Sequence, residues 1–295
     1  MTQRKITIII GLILSLMIIA QNNTNSPYTR YGYGQLEDDC FSRSQAMGST
    51  SIGLRTKNSI NSNNPASYSS IDSTSFIFEM GVSGLLSNFR SEGAQNTSFT
   101  GNLDYIALQS PITKWMGLSA GLIPYSYVGY NYKYTDSIQI AFEDDYNVYD
   151  KTFYGKGGIS QVYLGLSIDI ADHLALGANG YYMFGNIEQS RGLSFTDATM
   201  DSVQMVERLS ANSLRLRYGM QVFHTFGKHT VNMGAVYENK QPFSRMNYEQ
   251  IEMTTADTIS NISTGFDMPM MYGVGLSYSY ANRWLIGADY MCHDW

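Results

Sequence analysis

The sequence is short of charge. Charged residues make up 15% of the 295, where an ordinary soluble domain carries about 25%. The formal net charge is -6 and no basic stripe is visible, which excludes nucleic acid as a partner. Cysteine is scarce: Cys40 and Cys292 support neither a disulfide framework nor a zinc site. The four histidines, His173, His224, His229 and His293, form no H-x-x-x-H pair, so no metal or other cofactor is expected. Long apolar runs are missing beyond residue 20. A mature chain that enters a membrane would therefore cross it as a barrel, not as helices.

Aromatic residues reach 13%, with 23 Tyr and 27 Gly. That mixture suits strands joined by turns and a surface that meets lipid. The N-terminus places Arg4 and Lys5 before an apolar run from Ile6 to Ala20, followed by polar QNNTNS. Charged, apolar and small-residue regions in that order describe a secretory signal peptide over 1–20, read by the Sec pathway. A spanning helix wants about 20 apolar residues, longer than this run.

From about Ser75 the chain alternates with period two. In GISQVYLGLSIDIA the apolar set is Val162, Leu164, Leu166, Ile168 and Ile170, and between them stand Gln161, Tyr163, Gly165, Ser167 and Asp169. NSLRLRYGMQVFHTF puts Leu214, Leu216 and Tyr218 on one face, Arg215, Arg217 and Gly219 on the other. Successive strand side chains point to opposite faces, so each strand has a greasy face and a small or polar one. A soluble sandwich would show the same alternation, turned inward. Nine strands are expected: 75–86, 100–112, 115–134, 157–171, 173–190, 210–226, 229–249, 267–280 and 283–295.

Loop lengths favour a membrane barrel. Short breaks fall at Thr113-Lys114, Ala171-His173, Gly227-His229 and Ala281-Arg283. Longer polar connections are expected near 87–99, 135–156, 191–210 and 251–264. Short turns on one side and long loops on the other are the layout of an outer-membrane barrel. Trp115 and Trp284 follow short turns, and Tyr125, Tyr127, Tyr130, Tyr132 and Tyr134 cluster toward the other end of their strand, as two girdles would. Nine is an odd count and the last strand runs to Trp295, so a fragment or a truncated product is expected.

Residues 58–71, NSINSNNPASYSSI, carry no charge. They read as a linker or as a plug inside the barrel. A signal peptide, a segment with Asn64-Pro65-Ala66, and then long hairpins such as SPITKWMGLSAGLIPYSYVGY and FDMPMMYGVGLSYSYANRWLIGADY resemble the FadL family of outer-membrane transporters. The resemblance covers about residues 26–295. It implies an all-β, antiparallel transmembrane barrel of 14 strands, about nine of them present here at 75–295, with residues 21–74 as a hatch in the lumen. It further implies passive uptake of a hydrophobic small molecule such as a long-chain fatty acid, in contact with outer-membrane lipid. A FadL-like carrier of type IX secretion, binding secreted proteins, is the alternative.

In that family the Asn-Pro-Ala motif lies in the hatch, which assigns Asn64, Pro65 and Ala66. A kink in its third strand opens a side window, which assigns Pro124 and Tyr125; a bulge without a transport role is the plainer reading of a mid-strand proline. Asp169, Arg215 and Arg217 face the expected lumen and would meet a ligand head group or the hatch. GLSAG at 117–121 matches G-x-S-x-G but lies within a strand, where no nucleophile elbow forms. No enzyme is expected.

Overall fold

The computed structural model describes residues 24–91, 94–139, 146–196, 201–242, 245–253, 257–262, 267–281 and 283–294. The expected signal peptide lies outside them. The strands are β1 (Gln35–Leu36), β2 (Ile77–Ser91), β3 (Ala94–Thr113), β4 (Met116–Gln139), β5 (Tyr146–Ala171), β6 (Leu174–Phe195) and β7 (Val203–Phe226). They continue with β8 (His229–Glu238), β9 (Gln241–Pro242), β10 (Arg245–Met253), β11 (Asp257–Ile262), β12 (Asp267–Met268), β13 (Met270–Tyr280) and β14 (Trp284–Asp294). Ahead of β2 lie two 3-10 turns, Pro27–Arg30 and Pro65–Ser70, and a single helical turn, Ser42–Gln45.

One antiparallel, curled sheet forms a half-barrel, in the order β14-β13-β8-β7-β6-β5-β4-β3-β2. These nine strands stand where nine were expected, and the half-barrel they form among the described residues is compatible with a β-barrel. The expected strand 229–249 is interrupted. β8 pairs with Arg217–Phe226 of β7 and stops, and β10 takes up the same neighbour at Gln204–Asn212. Between them β9 turns aside to pair with β12.

The long loops expected near 87–99, 135–156 and 191–210 are mostly strand. The β4–β5 ladder continues from Met116–Ile168 to Gln139–Tyr146. Hydrophobic alternation fades there, but backbone pairing does not depend on it. Cross-strand polar contacts take over, such as Lys133 with Asp150 at 2.6 Å. At ~3.3 Å per residue the 26 residues of β5 span far more than a bilayer core.

Alternation resolves into two different faces. Leu164 is 57% exposed while its neighbour Tyr163 is fully buried. Leu214, Leu216, Val274, Leu276, Trp115 and Trp284 are likewise exposed on the outward side. The inward side carries Gln161, Ser167, Asn179, Ser213, Gln221 and Ser277, all buried. A water-soluble sandwich turns the apolar face inward; this sheet does the reverse. The tyrosine girdle at the far end of β4 requires correction. Tyr125, Tyr127 and Tyr130 are buried, and only Tyr134 of the cluster is exposed. A one-residue bulge at Tyr125 breaks the alternation of β4, and Tyr125 and Tyr130 join an interior cluster with Tyr33, Val128, Ile159 and Met183.

Candidate functional site

Residues 24–74 lie against the inward face, and the strands are shaped to receive them. Gly177 backs onto Pro65 and Ala66: a Cβ there would stand 2.4 Å from the Pro65 carbonyl carbon. A Cβ on Gly117 would meet the Tyr68 carbonyl oxygen at 2.2 Å, and one on Gly234 the Ile52 oxygen at 2.0 Å. Small residues on the inward set thus let backbone lie on backbone.

Asn64, Pro65 and Ala66 form the start of the 3-10 turn. Pro65 sits at its first positions, where a missing N–H costs nothing. The Asn64 side-chain oxygen accepts from Ala66 N at 3.1 Å, and its amide donates to Ile52 O at 2.7 Å and Met220 O at 3.3 Å. One fully buried side chain therefore caps the turn, ties it to the preceding segment and ties both to β7.

Further along lies a buried ionic cluster. Asp39 receives Arg217 Nη2 at 2.6 Å and Arg215 Nη2 at 3.1 Å. Glu238 receives Arg215 Nη1 at 3.2 Å and the Nε of Arg217. Gln161 donates to Asp39 at 2.7 Å and accepts from Arg215 at 2.9 Å. Asn63 accepts from Arg217 Nη1 at 2.9 Å. The guanidinium of Arg215 stacks 4.4 Å above the Tyr181 ring. All four charged side chains are at most 10% exposed. Burial alone would raise the Asp39 carboxyl, but Arg217 and Arg215 hold it below its usual value. Two charges of each sign, with polar partners between, make a lock between the N-terminal segment, β7 and β8. A cavity of about 270 Å³ opens beside it, lined also by Tyr125, Met268, Met271 and Met291.

Asp169 does not join Arg215 and Arg217. It lies near the short turns, where Arg55 donates to it at 2.9 and 3.1 Å and Ser69 at 2.6 Å. Arg55 also caps Ala66 O at 2.9 Å and stacks 4.1 Å over Phe223. Asp169, Arg215 and Arg217 all bond the N-terminal segment. Asp39, Glu238 and Arg55 were not singled out from the sequence. Glu238 was within reach, since the Asn232, Gly234, Val236 alternation of β8 ends on it. Asp39 and Arg55 lie in a segment with no period to read.

Pro124 and Tyr125 mark a parting in the sheet. The β3–β4 ladder runs from Thr113–Met116 only to Ile106–Leu122. Beyond it β1 pairs with β4 instead, Leu36 opposite Ser126 and Gln35 opposite Tyr127. Glu37 N donates to Tyr125 O at 3.0 Å and Ser26 N to Gly129 O at 2.8 Å. The parting is thus occupied by residues 26–37. Burial, with Asp104 and Asp38 nearby, pushes the Glu37 carboxyl up to about 7. Ser119 of GLSAG is buried, donating to Leu108 O at 3.0 Å and facing the Tyr163 hydroxyl at 2.9 Å.

A family model described as BamG matches residues 1–295. The chain belongs to the BamG family. No curated protein and no solved structure matches it. Membership in the BamG family overturns the FadL resemblance, which rested on one tripeptide and on hairpin phrasing that many outer-membrane strands share. It overturns with it the uptake of fatty acids, the hydrophobic small-molecule partner and the type IX carrier. An outer-membrane location agrees with the BamG assignment.

Proposed function

We propose that this chain is an outer-membrane subunit that supports the assembly of outer-membrane proteins, and that it acts by binding rather than by catalysis. The observation that carries the reading is the BamG match along the entire chain. The structure supports it in two ways. The outward face presents a continuous apolar surface suited to lipid. The inward face is filled by residues 24–74, bonded to strands from β2 to β14, which suits a scaffold better than a conduit.

In this reading residues 1–20 direct export through the Sec pathway, 21–74 form an internal plug, and 75–295 supply the membrane-embedded sheet. Asn64, Pro65 and Ala66 seat the plug, and Asp169, Arg215 and Arg217 lock it. Pro124 and Tyr125 shape the parting that anchors residues 26–37, rather than an exit for a ligand.

Depletion of the protein in its own host tests this. The readout is the heat-dependent gel shift of newly made outer-membrane barrels. The expected result is a fall in the folded fraction, restored by the intact gene. A folded fraction unchanged after complete depletion would contradict the proposal.

A further inference from the structure

The two ends of the sheet treat their cations differently. On the extended outer halves of the strands the cations meet carboxylates. Lys133 lies 2.6 Å from Asp150, Lys156 and Arg208 lie 3.4 and 3.2 Å from Glu188, and Arg191 bonds Glu207. At the short-turn end, Arg55 and Lys57 of the plug are paired likewise, with Asp169 at 2.9 Å and Asp72 at 2.8 Å. The turns themselves are not. Lys114, Lys228 and Arg283 are exposed, and among the described residues none of the three has an ion-pair partner. Asp172 is the one carboxylate on the four short turns. A chain with a formal net charge of -6 thus keeps an excess of fixed positive charge on this rim.

The four turns form one continuous rim. Trp115 O accepts from Asp169 N at 2.8 Å, His173 O from Phe223 N at 2.9 Å and Lys228 O from Ala281 N at 2.7 Å. Each turn is therefore tied to the hairpin beside it. The strand order sets two strand spacings between neighbouring turns, about 10 Å. That is about one Debye length at 0.1 M salt, so Lys228 and Arg283 share a positive potential that Lys114 extends along the rim. Aromatic rings stand beside the cations. Trp115 follows Lys114, Phe226 lies two residues before Lys228, and Trp284 follows Arg283. All three rings are exposed. Interfacial aromatics settle at the headgroup level, which puts each neighbouring cation at the phosphates. A soluble acidic protein would call for the cations but not for lipid-level rings beside them.

We propose that the rim of short turns is a binding surface for anionic glycerophospholipids of the leaflet it meets. Lys114, Lys228 and Arg283 take the phosphodiesters, and Trp115, Phe226 and Trp284 take the glycerol and upper acyl groups. The inference rests on the membrane-embedded sheet of the function proposed above, and goes beyond it to the class of lipid that the rim selects. Each Lys or Arg beside an anionic leaflet favours binding by about fivefold.

The test reads the rim through its own tryptophans. The full chain is reconstituted in bilayers of phosphatidylcholine and phosphatidylglycerol, with bromine on the acyl chains of one lipid or the other. Trp115 or Trp284 is kept as the sole tryptophan, the other two being replaced by Phe, in variants that keep their heat-dependent gel shift. Brominated phosphatidylglycerol should quench each ring more than brominated phosphatidylcholine at equal mole fraction. Lys114→Gln should lower that preference at Trp115, and Lys228→Gln with Arg283→Gln should lower it at Trp284, by up to about fivefold per cation. Lys133→Gln, at the other end of the sheet, should leave it unchanged. Salt at 1 M, where the Debye length is about 3 Å, should erase it without any substitution. Equal quenching by the two lipids, or a preference that survives the substitutions, would overturn the proposal. So would a preference abolished by free glycerol phosphate at constant ionic strength, which would make this a site for a soluble phosphate. A photo-crosslinking amino acid at His229 in native outer membranes should label lipid, and a discrete protein adduct in its place would overturn the proposal in favour of a protein partner. Strong but equal quenching would leave the membrane-embedded sheet standing, whereas no quenching by either lipid would remove the sheet and the rim together.

Discussion

At the residue scale, the chain depends on a few buried polar side chains that bind the N-terminal segment to the sheet. Removing one partner of a buried ion pair leaves an uncompensated charge, at a cost of about 3–5 kcal/mol. Asp39→Ala should therefore loosen the plug, by up to that order, because Arg215 and Arg217 lose one of their two shared carboxylates and only Glu238 is left between them. The midpoint of the heat-dependent gel shift should fall, and an unchanged midpoint would remove the cluster from the account. Asn64→Ala takes away a cap and two cross-links, with an expected loss of about 1–2 kcal/mol in the same assay. Glu37 gives a pH dependence. Its carboxyl is raised from 4.5 to about 7 by burial and by Asp104 and Asp38. The docked state therefore favours the neutral acid. That contribution is complete below pH 4.5 and is lost as pH rises through about 7. Trypsin cleavage after Arg30 should accelerate across that window, and Glu37→Gln should flatten the profile. The sequence exposed Arg215, Arg217 and Asp169 because strand alternation places each inward. It hid Asp39, Arg55 and Glu37, since no periodicity marks which way an irregular segment turns its side chains.

At the element scale, the seat for the plug is written in glycines. Gly177→Ala would drive a methyl into the backbone of Pro65 and Ala66, and overpacking of this kind costs about 1–3 kcal/mol. Gly180→Ala, three residues along the same strand, meets nothing closer than 3.7 Å and should be neutral. Protease protection of residues 24–74 should separate the two variants; equal protection would mean the plug does not rest on β6 as described. The positions of the nine path strands were legible because their inner halves alternate cleanly, as GISQVYLGLSIDIA does. Their outer halves were not, because polar residues on both faces hide strands that pair by backbone alone. The parting beside Tyr125 was legible only as a proline in mid-strand. That β1 fills it follows from hydrogen bonds between residues almost a hundred positions apart.

At the scale of the whole molecule, the account stands on which face of the sheet meets lipid. Alternation showed two unlike faces but not their orientation, and the family could not be read from phrasing common to outer-membrane hairpins. The structure turns Leu164, Leu216 and Leu276 outward and buries Gln161, Arg217 and Ser277. Leu164→Arg should therefore destabilise the folded chain by about 2–4 kcal/mol in a bilayer, where an exposed position in water would tolerate it. The most direct measurement is the accessibility of spin labels placed singly along residues 161–168 of β5 in native-like bilayers. Labels at 162, 164 and 166 should be relaxed by oxygen, which concentrates in lipid, and shielded from a water-soluble nickel complex, while labels at 161, 163 and 165 show neither. Nickel access at 162, 164 and 166 would place that face in water and contradict the membrane-embedded sheet on which the proposed function depends.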